Sequence, residues 1–115
     1  METSSLELPT FPASPPEALA VPLLEVDPER LWVRVEGQHV RLTGLQLSLM
    51  LYLWKHRNWV KSRGQILEAV WGCGVDVNDK AVDVHVCRLR RRLGAAGTLL
   101  ESVRSFGYRL HAESP

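Results

Sequence analysis

Cysteine is scarce in this chain of 115 residues, which has only Cys73 and Cys87, fourteen positions apart. Two such residues make no disulfide framework, so a small bridged extracellular scaffold is excluded and the cytoplasm is the expected compartment. Long apolar runs are also missing. The stretch from Leu45 to Trp54 is interrupted by Gln46 and Ser48, well short of the ~20 residues that a membrane span requires. The N-terminus has neither the basic segment nor the continuous apolar segment of a secretory signal. There is no Walker loop, no G-x-S-x-G and no H-E-x-x-H, and Gly72-x-Gly74 lacks the third glycine of a dinucleotide fingerprint. A metal site built from Cys73, His85 and Cys87 would have no closely paired ligands. The chain therefore reads as non-enzymatic, with no metal and no cofactor expected.

Positive charge is absent from one region and concentrated in another. Residues 1–29 contain six acids and no lysine or arginine, whereas residues 30–115 hold all fourteen basic residues against seven acids, a net +7. A basic body behind an acidic tail implies a polyanionic partner for the body. Pro9, Pro12, Pro15 and Pro16 leave no room for a helix, so residues 1–20 read as a disordered tail or linker and residues 21–112 as one domain.

Organised sequence begins near Pro22. Leu23–Val26, Leu31–Val35 and His39–Leu42 read as three short strands, turned at Asp27-Pro28 and Glu36-Gly37. The second strand alternates, which places Leu31, Val33 and Val35 on one face. Thr43 is the expected N-cap of a helix to about His56, with Leu45, Leu49, Tyr52 and Leu53 at helical spacing. Trp59-Val60-Lys61 suits a short strand. Ser62 then caps a helix over Arg63–Trp71 that buries Ile66, Leu67, Val70 and Trp71, ended by Gly72-Cys73-Gly74.

Residues 78–94, NDKAVDVHVCRLRRRLG, are the most informative segment. At helical spacing Val82, Val86, Leu89 and Leu93 form one apolar stripe. The other side carries Lys80, Ala81, Val84, His85, Arg88, Arg91 and Arg92, a cationic face interleaved with small apolar residues. Such a face suits a DNA major groove, because arginines reach phosphates or guanine edges while small side chains permit close approach. Asn78 or Asp79 caps the helix, its acids precede its arginines as the helix dipole favours, and Gly94 and Gly97 stop it. Leu99–Arg104 and Tyr108–His111 then read as a hairpin around Ser105-Phe106-Gly107. Two helices, the second basic, followed by an Arg-bearing hairpin make a helix-turn-helix with a wing.

In this order the elements resemble the C-terminal DNA-binding domain of OmpR/PhoB-type response regulators. The resemblance rests on Leu42-Thr43, on Ser62-Arg63-x-x-Ile66-Leu67 with Val70-Trp71-Gly72, on Val82-Asp83-Val84-His85-Val86-x-Arg88-Leu89-Arg90-Arg91-x-Leu93, and on Val103-Arg104-x-x-Gly107-Tyr108-Arg109-Leu110. It covers residues 22 to 111. It implies an α+β winged helix-turn-helix with a four-stranded antiparallel N-terminal sheet, a three-helix core and a C-terminal hairpin wing. The implied function is sequence-specific binding of double-stranded DNA in regulation of transcription, with helix 78–94 in the major groove and wing 99–111 at the minor groove.

By the same resemblance Arg88 is the main base-contacting residue, with Ala81, Asp83 and Val84 near it. Lys80, His85, Arg90, Arg91 and Trp71 fall among the phosphate contacts, and Arg104, with Ser102 and Ser105, belongs to the wing at the minor groove. Gly72, Cys73, Gly74, Val75 and Asp76 match a loop through which relatives contact RNA polymerase, and relatives pair head to tail on direct repeats. No membrane partner is implied.

The physical reading distributes these roles unevenly. Arg90 lies about 80° around the helix from Val82, near the apolar stripe, so pairing with Asp83 or Asp79 stands beside the phosphate role. Asp83 suits an internal salt bridge better than base reading. His85 and Trp71 each suit packing as well as contact with DNA. Three departures from the family pattern stand out. Cys87 replaces a basic residue, Ser105 replaces a wing glycine, and Gly44 and Gln46 replace the usual start of the first helix. No receiver domain precedes the module, which leaves a free-standing regulator or a fragment. The competing function is a winged helix used for protein–protein interaction through Phe106 and loop 72–78.

Overall fold

Three short antiparallel strands open the described part of the chain: β1 (Leu24–Asp27), β2 (Trp32–Val35) and β3 (Gln38–His39), in the order β1-β2-β3. This is a computed structural model, and it describes residues 22–72 and 77–112. The Asp27 carboxylate accepts from the backbone N–H groups of Glu29 and Arg30, both at 3.0 Å, which folds the first turn. Leu31 ends that turn with φ 60° and is 55% exposed. It is therefore not the first inward residue of the second strand, as alternation predicts. The next turn, Glu36-Gly37, has φ 51° and 82°, the two positive values that a tight two-residue hairpin requires. Only Val33 among the β2 residues is fully buried.

The sheet has three strands among the described residues, against the four that the family resemblance implies. Its third strand is also shorter than His39–Leu42. Val40 still donates to the Val33 carbonyl at 2.9 Å, but pairing stops there because the Arg41 carbonyl is taken by the Arg92 guanidinium.

Thr43 and Gln46 form a reciprocal capping box that starts α1 (Gly44–Lys55), with Oγ1 accepting at 3.2 Å and Gln46 Oε1 accepting at 3.0 Å. Gln46, a departure from the family pattern, is thus the residue that closes the helix start. Leu49, Met50 and Leu53 are buried, and Met50 lies outside the apolar set that helical spacing picks out. Ser62 and Gln65 repeat the capping box at α2 (Arg63–Trp71). Only Ile66 of α2 is buried, while Leu67, Val70 and Trp71 pack partly exposed against the core. The strand between these helices, β4 (Lys61–Ser62), begins two residues later than expected because Trp59 lies in a turn, 72% exposed.

Asn78 caps α3 (Asp79–Leu93) by accepting from the Lys80 N–H at 3.0 Å. Gly94, at φ 57°, ends it, and residues 94–99 continue as a 3-10 turn. Gly97 therefore does not stop the helix. It lies under it, where a Cβ would come within 2.6 Å of the Arg90 carbonyl oxygen. Val82, Val86, Leu89 and Leu93 are all buried, each contributing roughly 1.5–3 kcal/mol.

The chain closes with β5 (Leu100–Val103) and β6 (Gly107–Leu110). Arg104 sits in their connecting turn, not in a strand. The central strand is β6, flanked by β4 and β5, so the wing is a three-stranded sheet anchored to the start of α2. Gly107 makes this possible, since a Cβ there would lie 2.0 Å from the Lys61 carbonyl oxygen. Asn58 fastens the end of β6 through its side-chain bonds to the Ala112 carbonyl at 2.9 Å and N–H at 3.1 Å.

Candidate nucleic-acid interface

The fifteen residues of α3 make a rod about 22 Å long, buried along one side and open along the other. Lys80, Val84, Cys87, Arg88 and Arg91 are exposed, and Val84 is 42% accessible. Among the described residues, no protein group bonds to the side chains of Lys80, Arg88, Arg91 or Arg104. Three cations on one helical face, with Val84 and Cys87 between them, direct positive charge outward. Desolvated anions satisfy such charge well.

The flanks of the helix are differently occupied. Asp83 Oδ1 accepts from Arg63 Nε at 2.7 Å and from the Tyr108 hydroxyl at 2.5 Å. Burial pushes its carboxyl upward, but the hydrogen bonds from Tyr108 and Arg63 outweigh it and hold the group below the ordinary 3.8. Tyr108 is correspondingly raised by burial and by the neighbouring Asp83 carboxylate. Asp83 is thus an internal acceptor, with its Oδ1 already engaged.

Arg90 pairs with neither Asp83 nor Asp79. Its Nε and Nη2 donate to the Leu100 carbonyl at 2.9 and 2.7 Å, and Nη2 also reaches Ser102 Oγ at 2.9 Å. The strand β5 brings the Leu100 carbonyl to that flank, so a backbone oxygen satisfies the guanidinium. Ser102 is consequently a partner of Arg90 as well as a wing residue. Arg92, on the cationic side by spacing alone, is tied back to the Arg41 carbonyl. His85 joins its Nδ1 to the Ala81 carbonyl at 2.9 Å and meets the edge of the half-buried Trp71 at 5.2 Å between centroids. Ala81 is half-buried beside it.

The wing tip is Arg104-Ser105-Phe106, all exposed. Phe106 donates to the Val103 carbonyl at 2.9 Å and closes the turn. Ser105 has φ 67°, so this position does require left-handed backbone and serine is strained there. Phe106 is 67% exposed. Of the loop matched to polymerase contact, Gly72 is described, with φ 101°, while Cys73, Gly74, Val75 and Asp76 lie outside the described residues. The Arg63 and Tyr108 partnerships escape sequence reading because they span 20 and 25 residues, and no periodicity reports such distances.

Residues 37–110 match the family model described as "Transcriptional regulatory protein, C terminal". The chain belongs to this family. It is 42% identical over 89 residues to the transcriptional regulatory protein CseB of Streptomyces avermitilis, covering 77% of this chain and 37% of that protein. It is 33% identical over 106 residues to the phosphate regulon transcriptional regulatory protein PhoB of Pseudomonas aeruginosa, covering 91% and 46%. The chain thus spans less than half the length of these curated relatives.

The fold is similar to that of the response regulator AdeR DNA-binding domain, solved in complex with an intercistronic region. The TM-score is 0.68 and the identity 26%, over 79% of this chain and 96% of that one. The DNA-binding domain of Bacillus subtilis CssR is also similar, with a TM-score of 0.64 and 33% identity over 76% and 98%. The architecture is accordingly the winged helix-turn-helix of OmpR/PhoB-type regulators. Among the described residues no helix is long and apolar enough to cross a membrane.

Proposed function

We propose that this domain binds double-stranded DNA sequence-specifically and regulates transcription, with α3 in the major groove and the 104–106 tip at the adjacent minor groove. One observation carries the reading. Among the described residues, the side chains of Lys80, Arg88, Arg91 and Arg104 lie on the open face of α3 and on the wing tip with no hydrogen bond or ion pair to the protein, whereas Arg63, Arg90, Arg92 and Arg109 are tied into the fold. Arg88 is the base reader, suited to a bidentate guanine contact, with Val84 and Ala81 beside it. Lys80, Arg91 and His85 grip phosphates, Trp71 supports His85 by packing, and Arg104 enters the minor groove with Ser105 and Ser102 lining the wing.

The finer assignments follow the family resemblance. The segment Gly72–Asp76 is the site of RNA polymerase contact, two copies pair head to tail on direct repeats, and the protein works in the cytoplasm. By composition residues 1–20 are a tail or linker, and residues 21–112 a single domain.

Selection of bound duplexes from a random pool, followed by titration against salt, tests the reading. Enrichment of a repeated motif is expected. With three to five phosphates neutralised, the logarithm of affinity should fall with a slope of about −3 to −4.5 against the logarithm of salt. No enrichment, or binding indifferent to salt, would overturn it in favour of a protein-interaction module.

A further inference from the structure

Tyr108 stands where five elements meet. It lies in β6, opposite Lys61 of β4 and Ser102 of β5, and its hydroxyl reaches Asp83 on α3. The Arg63 guanidinium, from the first residue of α2, lies 5.4 Å from its ring centroid, and that of Arg90 lies 5.7 Å from it. Both arginines are also hydrogen-bonded, Arg63 to Asp83 at 2.7 Å and Arg90 to the Leu100 carbonyl at 2.7 Å. The aromatic face between two guanidiniums is an attractive site for both. The Asp83 oxygen that joins Arg63 to Tyr108 therefore connects α2, the open helix and the wing at one atom.

We propose that Arg63, Asp83 and Tyr108 form a positioning unit that holds the wing in register with α3, and that Arg63 aids DNA binding by neutralising Asp83 and not by gripping a phosphate. This rests on the DNA-binding reading above. Asp83 lies one turn from Lys80, on the flank of the cationic face. Without Arg63 its carboxylate would repel an approaching phosphate, and without the Tyr108 hydroxyl α3 would lose its bond to the wing. Arg63 commits Nε to this carboxylate at 2.7 Å and holds its guanidinium carbon 5.4 Å from the tyrosine ring centroid, which ties the side chain to the fold.

Full-length protein and a labelled duplex carrying the selected repeat provide the test. Arg63→Ala should weaken binding by about tenfold or more. Arg63→Ala with Asp83→Asn should return to within about threefold of the unaltered protein, with its salt slope restored, because the exposed anion is gone. A double variant as weak as Arg63→Ala, with a slope flatter by about one, identifies Arg63 as a phosphate anchor and overturns the proposal. In the free protein, Tyr108→Phe should speed amide exchange in residues 102–109 by about tenfold and leave residues 49–53 unchanged. Unchanged exchange in the wing also overturns it. The exchange measurement needs no DNA, so a failed selection and a failed coupling are separate results.

Discussion

The two sides of α3 contain similar side chains and use them differently. On the packed side and its flanks, Val82, Val86, Leu89 and Leu93 are buried, Asp83 is held by Arg63 and Tyr108, and Arg90 is spent on the Leu100 carbonyl. On the open side Lys80, Arg88 and Arg91 have no hydrogen bond or ion pair from their side chains among the described residues. Arg88 and Arg90 are two residues apart, yet one belongs to the fold and the other to the surface. An arginine-rich helix is therefore not uniformly a DNA-binding helix. What distinguishes its residues is whether a carbonyl or carboxylate from another element reaches them first.

The strongest way to break this division is to attack the packed side. Leu89→Ala should cost about 2–5 kcal/mol of unfolding free energy, read from the denaturant midpoint, and DNA binding should fall only as the folded fraction falls. Next comes the arginine pair. Arg90→Ala should lower stability by about 1.5–3 kcal/mol by removing charged hydrogen bonds to Leu100 and Ser102. Arg88→Ala should leave melting unchanged, cost about 1–3 kcal/mol of affinity and relax preference at one base pair. If Arg88→Ala altered stability and not sequence preference, the division would fail at its central residue.

Smaller effects sharpen it. Lys80→Ala should weaken binding to all duplexes alike and flatten the salt slope by about one unit. The acid dependence of stability probes the flank. Asp83 titrates below its ordinary 3.8 in the folded chain, so the stability it provides is complete above that value and is lost as pH falls through the lower folded value. Asp83→Asn should flatten stability against pH in that acid range, as followed by thermal melts. Unaltered pH dependence would mean that the Arg63–Asp83–Tyr108 contact contributes nothing.

Local signals made much of this legible in advance. Thr43 and Ser62 are caps because a side-chain oxygen placed before a helical run satisfies a free N–H, a relation that spans only three residues. The stripe Val82, Val86, Leu89 and Leu93 is equally local. Leu31 misled because alternation counts residues and not φ angles, and its left-handed turn is set by the Asp27 carboxylate. Gly107 read as a turn residue, whereas its reason is the passage of β4 against it.

The sequence by itself determined the element order, the caps, the buried stripe and the excess of positive charge in the body, since each follows from spacing along one chain. Tertiary structure alone decided which charges remain available. That choice depends on where the Leu100 and Arg41 carbonyls, the Asp83 carboxylate and the Tyr108 ring come to lie, 10 to 51 residues from some of the cations they engage. Contacts closed across the fold leave no period in the sequence, and they separate the arginines that build this domain from those left open to a partner.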